Sequence, residues 1–109
     1  MEVRWLPFAK DQLKVVVQYV LDEFGENTAR KSLQKILNKV GGLSAFPDIG
    51  VLDRKFSANG IKVRHLNIGP NIVFYIVDMN DVIVIAVMHN RQSPETINRT
   101  IRHVLDSNY

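Results

Sequence analysis

The residues best suited to chemistry lie at the exit of an apolar strand, in Met88-His89-Asn90-Arg91-Gln92-Ser93-Pro94, and on a basic stretch upstream, Lys62-Val63-Arg64-His65. An imidazole titrates near neutral pH and can take or give a proton, while a guanidinium grips phosphate through paired donors. His89 and Arg91 share one strand face if the strand runs that far, with Asn90 turned the other way. The same groups could equally form a binding lip. His65 shares its face with Val63 and reads first as a half-buried, hydrogen-bonded residue. Arg64 has apolar neighbours and must expose or pair its guanidinium, which favours a binding role. Tyr75, between Val73 and Val77 on its face, reads first as core with a tethered hydroxyl and second as a stacking surface. Arg99, Arg102 and His103 read as a solvated helix face.

Other chemistries find no support. Three scattered histidines with no cysteine give no metal-ligand geometry. Gly41-Gly42 ends a helix rather than opening one, so no phosphate-cradling loop is expected, and no serine has the context of a nucleophile. No cofactor, metal or small-molecule substrate is expected.

Fourteen Lys and Arg against eleven Asp and Glu give a net charge of +3, which by itself says little about partners. The distribution is more informative. No carboxylate falls between Glu26 and Asp48, where Arg30, Lys31, Lys35 and Lys39 lie, nor between Asp53 and Asp78, where Arg54, Lys55, Lys62, Arg64 and His65 lie. These windows suit an anionic partner: RNA, DNA or an acidic protein segment. Solvated helix and loop faces are the plainer account of the first window. The absence of cysteine fits a reducing compartment, and neither a signal peptide nor a membrane span is legible, so a bacterial cytoplasmic setting is expected.

With 109 residues, 46% of them hydrophobic, the chain should form one domain (1–109) with its own core. Val3 to Leu6 reads as a short strand ended by Pro7, which opens a helix. Leu13, Val16, Val17, Val20, Leu21 and Phe24 recur at helical spacing as one buried face, and Gly25 stops that helix. A second helix is expected to be capped by Asn27 or Thr28, with Ala29, Leu33, Ile36, Leu37 and Val40 as its stripe up to Gly41-Gly42. Leu43 to Gly60 reads as a long loop pinned by Val51, Leu52 and Phe56. Ile61–Ile68, Ile72–Val77 and Val82–Met88 read as an antiparallel meander, its last two strands apolar on both faces and so covered on both sides. Ser93 and Pro94 cap and open a final helix carrying Ile97, Ile101, Val104 and Leu105. The fold expected is α+β: a small antiparallel sheet in β-α-α-β-β-β-α order with an N-terminal helical hairpin packed on it.

That order of elements, with the Phe-Pro-Asp-Ile-Gly loop, the Val-Arg-His-Leu strand, the Gly-Pro-Asn-Ile-Val-Phe-Tyr hairpin and the Val-Met-His-Asn-Arg-Gln exit, resembles the RelE/ParE superfamily of bacterial type II toxins over almost the whole chain. The Arg-bearing strand, the Phe74-Tyr75 pair and the His-x-Arg before the last helix resemble the ParE-like (plasmid stabilisation) branch more closely. The resemblance implies a growth-inhibiting toxin neutralised by a co-encoded antitoxin that covers the basic strands and the apolar grooves beside the helical hairpin. ParE-like members act on DNA gyrase. RelE-like members are ribosome-dependent endoribonucleases that cut mRNA.

If this chain were such a nuclease, the catalytic candidates are His89, Arg91 and Arg64, since cleavage by 2′-OH attack needs a base, an acid and cations on the scissile phosphate. If it acts by binding, the candidates are Arg54, Lys55, Lys62, Arg64, His65, Tyr75 and Arg91. The nuclease set departs from the superfamily patterns: Asn90 follows His89 where an aromatic residue would stand, and Tyr109 replaces it only if the chain end folds back onto the sheet.

Overall fold

The computed structural model describes residues 1–57 and 60–107. Five strands and three helices follow in the order β1 (Glu2–Trp5), α1 (Pro7–Phe24), α2 (Glu26–Gly41), β2 (Val51–Leu52), β3 (Val63–Ile68), β4 (Asn71–Asp78), β5 (Asp81–His89) and α3 (Pro94–Asp106). The sheet order is β1-β5-β4-β3-β2. The expected antiparallel meander is β3-β4-β5, and β1 joins it in parallel along β5, with Glu2 opposite Asp81 and Trp5 opposite Val84. The sheet is therefore mixed. Parallel pairing follows because the chain leaves β1 through the helical hairpin and returns to the sheet only later.

Residues 82–88 of β5 and 73–76 of β4 are buried. Such a pair is stable only with a layer on each side. One face packs against α1 and α2, where Ala9, Ile36, Val40 and Leu43 meet Val73, Tyr75, Val82, Val84 and Val87. The opposite face packs against α3, where Ile101 and Val104 meet Phe74, Ile76, Ile83 and Ile85. Each fully buried Val, Leu or Ile contributes roughly 1.5–3 kcal/mol relative to exposure. A bulge breaks simple alternation. Tyr75 pairs with Val84 and Phe74 with Ala86, so Ile85 is the extra residue. Val84 and Val87, three apart, thus share the hairpin face, while Ile85 and Ala86 both join the α3 face.

Two turns are tight. Gly69-Pro70 links Ile68 to its ladder partner Asn71, with φ of 59° at Gly69; a positive φ followed by proline's fixed negative one suits a two-residue hairpin. Gly25 reverses the chain between α1 and α2 with φ of 89°. Its N–H donates to Leu21 O at 3.0 Å and its carbonyl accepts from Ala29 N at 3.1 Å. α2 therefore begins at Glu26, and the cap expected at Asn27 or Thr28 is replaced by one glycine that ends one helix and starts the next. The final cap is as read from sequence: Ser93 Oγ accepts from Thr96 N at 3.1 Å, with Pro94 in the first turn.

The long connection holds a short 3-10 turn (Gly42–Ser44) and β2. Phe56 anchors it in the α3-side core. Val51, also expected to pin it, is exposed, because its strand lies at the sheet edge beyond either helical layer. Residues 58 and 59 of this connection, and Tyr109, lie outside the described residues. No helix among the described residues is long and apolar enough to cross a membrane.

Glycine substitutions separate backbone conformation from crowding. A Cβ at Gly25 or Gly41 meets nothing within 4 Å, but only Gly25 has a positive φ. Gly25→Ala, at φ 89° and ψ 175°, a region nearly exclusive to glycine, should lower stability by about 1–3 kcal/mol, whereas Gly41→Ala, at the end of α2, should raise it by about 0.5–1 kcal/mol. Urea denaturation of the two variants, with unchanged m-values, checks both.

Candidate functional site

The sequence candidates fall into three places rather than one. Arg64 and Tyr75, paired across β3 and β4, hold the Phe46–Gly50 loop against the sheet. The Tyr75 hydroxyl donates to Pro47 O at 2.7 Å and accepts from Gly50 N at 2.9 Å. Arg64 Nη1 donates to Gly50 O at 2.9 Å and to Asp48 O at 3.3 Å, and its Nε lies 3.8 Å from Asp48 Oδ1. Tyr75 is fully buried, so it offers no stacking surface. The Arg64 guanidinium is already engaged with two carbonyls. These are the geometry of a loop clamp, and they leave its tip residues Phe46 and Ile49 exposed.

The second place is the α3 side. His65 Nδ1 lies 2.7 Å from Asp53 Oδ2, and its ring tilts against Phe74 with centroids 5.8 Å apart. His65 is thus the half-buried, paired residue that its strand face suggested. Beside it, Lys55 Nζ and Arg102 Cζ sit 5.1 and 5.7 Å from the centre of the Phe56 ring, and Arg102 also donates to Lys55 O at 3.1 Å. Arg54, Lys55, Lys62 and Arg102 are exposed. Arg102, read from sequence as a solvated residue, joins Lys55 at the Phe56 ring.

The third place is a cleft between α1 and the turn that follows β5. His89 and Arg91 meet here, brought together by the turn and not by strand alternation, since β5 ends at His89. Arg91 N donates to His89 Nδ1 at 3.0 Å, and His89 N donates to Gln92 Oε1 at 2.7 Å. In this arrangement His89 Nδ1 is an acceptor, and Nε2 is left free of that contact. On the opposite wall Gln12 Oε1 accepts from Val87 N at 2.7 Å. β1 runs alongside β5 only as far as Val84, so both amides satisfy N–H groups on the uncovered edge of β5.

The apolar wall of this cleft was read from sequence as part of a buried stripe. Phe24 is instead 63% exposed, and Val15 and Tyr19, outside that stripe, are 69% and 55% exposed. The signal was present: five of the six residues from Val15 to Val20 are apolar, more than one buried face needs. Asn71 lines the floor and was missed, because nothing in the sequence distinguishes a hairpin asparagine from a buried one.

Arg64 and His89 are not neighbours. Their ladder partners on β4, Tyr75 and Asn71, are four residues apart, about 13 Å along the strand. A small mixed sheet with a helical hairpin on one face and a terminal helix on the other defines a compact class of α+β fold. Among solved structures, a chain of the chromosomal ParDE toxin–antitoxin system from P. aeruginosa superposes with a TM-score of 0.66 at 19% identity, over 82% of this chain and 95% of that one. No curated protein sequence matches significantly. The family model of the ParE toxin of type II toxin–antitoxin systems matches residues 3–94, and the chain belongs to that family.

The clamp gives two measurable outcomes. A Cβ at Gly50 would lie 2.5 Å from the Tyr75 hydroxyl and 2.9 Å from His65 O, so Gly50→Ala should cost about 1–3 kcal/mol. Burial raises the Tyr75 pKa above its ordinary value of 10.0, opposed by the Gly50 N–H and then by the Arg64 charge, with the Asp48 carboxylate adding to the rise. The folded state therefore keeps this proton longer than the unfolded chain. The resulting stabilisation is fully present below about pH 10 and is lost as pH rises through the folded value. Denaturation from pH 7 to 11 should show Tyr75→Phe less stable at neutral pH, with the gap to the parent narrowing above pH 10.

Proposed function

We propose that this ParE-type toxin arrests growth by binding DNA gyrase in the bacterial cytoplasm, and that a co-encoded antitoxin neutralises it. The observation that carries binding over cleavage is the dispersal of the nuclease candidates. Arg64 is bound to the Phe46–Gly50 loop, about 13 Å along the sheet from the level of His89, and only His89 and Arg91 share a site. In-line cleavage of RNA requires base, acid and phosphate-holding cation around one phosphate. A binding toxin has no such requirement. The exposed Lys55 and Arg102, drawn together at the Phe56 ring, are a natural surface for an acidic or DNA-engaged target.

The second reading, a ribosome-dependent mRNA endoribonuclease, keeps one supporting feature: His89 and Arg91 line one cleft. One experiment separates the two. The purified chain added to gyrase should abolish supercoiling of relaxed plasmid, and induced cells should retain intact transcripts. Normal supercoiling with cleaved transcripts, reversed by His89→Ala with Arg91→Ala, would establish the nuclease instead.

A further inference from the structure

We propose that the surface formed by Lys55 and Arg102 contacts the phosphate backbone of duplex DNA directly and without regard to sequence. This goes beyond the gyrase reading and does not depend on it, since the contact is between this chain and DNA alone. The two side chains belong to elements 47 residues apart and are held together. Lys55 Nζ and Arg102 Cζ lie 5.1 and 5.7 Å from the centre of the Phe56 ring, and Arg102 Nη2 donates to Lys55 O at 3.1 Å. Two long cationic side chains placed in advance lose less freedom when a phosphate binds them.

The charge around this pair is not cancelled. Arg54 precedes Lys55, and Arg99 lies about one turn before Arg102 on the same face of α3. All four are exposed, and none of them forms a salt bridge among the described residues. Asp53, the acid beside Arg54, is turned inward: its Oδ2 lies 2.7 Å from His65 Nδ1 and its side chain is only 12% exposed. Glu95 and Asp106, each about a turn further along α3, bound the basic face at its two ends.

The apolar side chains decide between classes of anion. Unpaired bases are held by exposed aromatic faces, but Phe56 and Phe74 on this side are each only 4% exposed. A protein interface needs an apolar core inside its polar rim. Among the described residues, none of the large apolar side chains left exposed belongs to α3 or to residues 53–57. The surface therefore offers charge on a rigid support and little else. That suits the regular phosphates of a duplex, which carries about one charge per 1.7 Å of its axis, and such contacts position a protein without reading sequence.

The test titrates the full chain into a short fluorescently labelled duplex, followed by anisotropy at several salt concentrations with no gyrase present. Affinity should fall by about tenfold or more between roughly 50 and 200 mM salt, and duplexes of unrelated sequence should bind alike. Lys55→Met with Arg102→Met, which keeps an apolar stem on Phe56, should reduce the slope of log affinity against log salt by about two. Arg102→Lys should keep the parent slope. So should Lys31→Gln with Lys35→Gln, an equal loss of charge on α2. If the methionine pair does not fold, Arg102→Gln alone decides, with a slope reduced by about one. A parent-like slope in the variant that folds would overturn the proposal, as would absence of duplex binding at the lowest salt. An equal loss in the α2 variant would reduce the effect to net charge and overturn it too. Tighter binding of single-stranded RNA, or displacement of the duplex by polyglutamate at the same concentration of negative charge, would assign the surface to another class of partner and overturn it likewise.

Discussion

The ladder between β4 and β5 is buried on both faces, and that burial obliges the chain to provide a helical layer on each side. The hairpin of α1 and α2 covers one face and α3 the other. The bulge at Ile85 then decides which side chains face which layer. Under uninterrupted alternation Val87 and His89 would lie on the face of Ile83 and Ile85, beneath α3. The extra residue turns them toward α1 instead, where His89 meets Arg91 and Asn71 at the cleft. A single unpaired residue in the middle of the sheet therefore determines the composition of a surface at its end.

The two faces consequently differ in character. The hairpin face carries an aromatic and aliphatic wall with a polar floor. The α3 face carries a cluster of cations around Phe56, above the internal Asp53–His65 pair. Between them, the Phe46–Gly50 loop is clamped by Tyr75 and Arg64, which use their polar groups inward and so make no direct contribution to either surface.

Much of this architecture was legible in the residues. The periodicity of α1 and α2, the Ser93-Pro94 start of α3 and the doubly apolar strands all follow from local rules, and they fix the layers. The site was less legible because its determinants are not periodic. The parallel seating of β1 depends on a partner eighty residues away, and the bulge on a register that no local preference signals. Arg64 looked available because its strand is basic. Its carbonyl partners sit in a loop whose path only the folded chain reveals. Phe24 looked buried because its spacing matched the stripe, yet it lies beyond the part of α1 that the sheet covers. The half-burial of His65 was legible because it shares a strand face with Val63, while its partner Asp53 is supplied by the loop.

The side chains of Gln12 and Gln92 occupy the margin of β5 left bare where β1 stops. Left open, the N–H groups of Val87 and His89 on this edge would offer pairing sites to a strand of another molecule. Two neutral amides, each folded over one donor, deny those sites to other copies without adding charge. Protection of this sheet edge thus rests on two side chains that also line the cleft between α1 and the turn after β5.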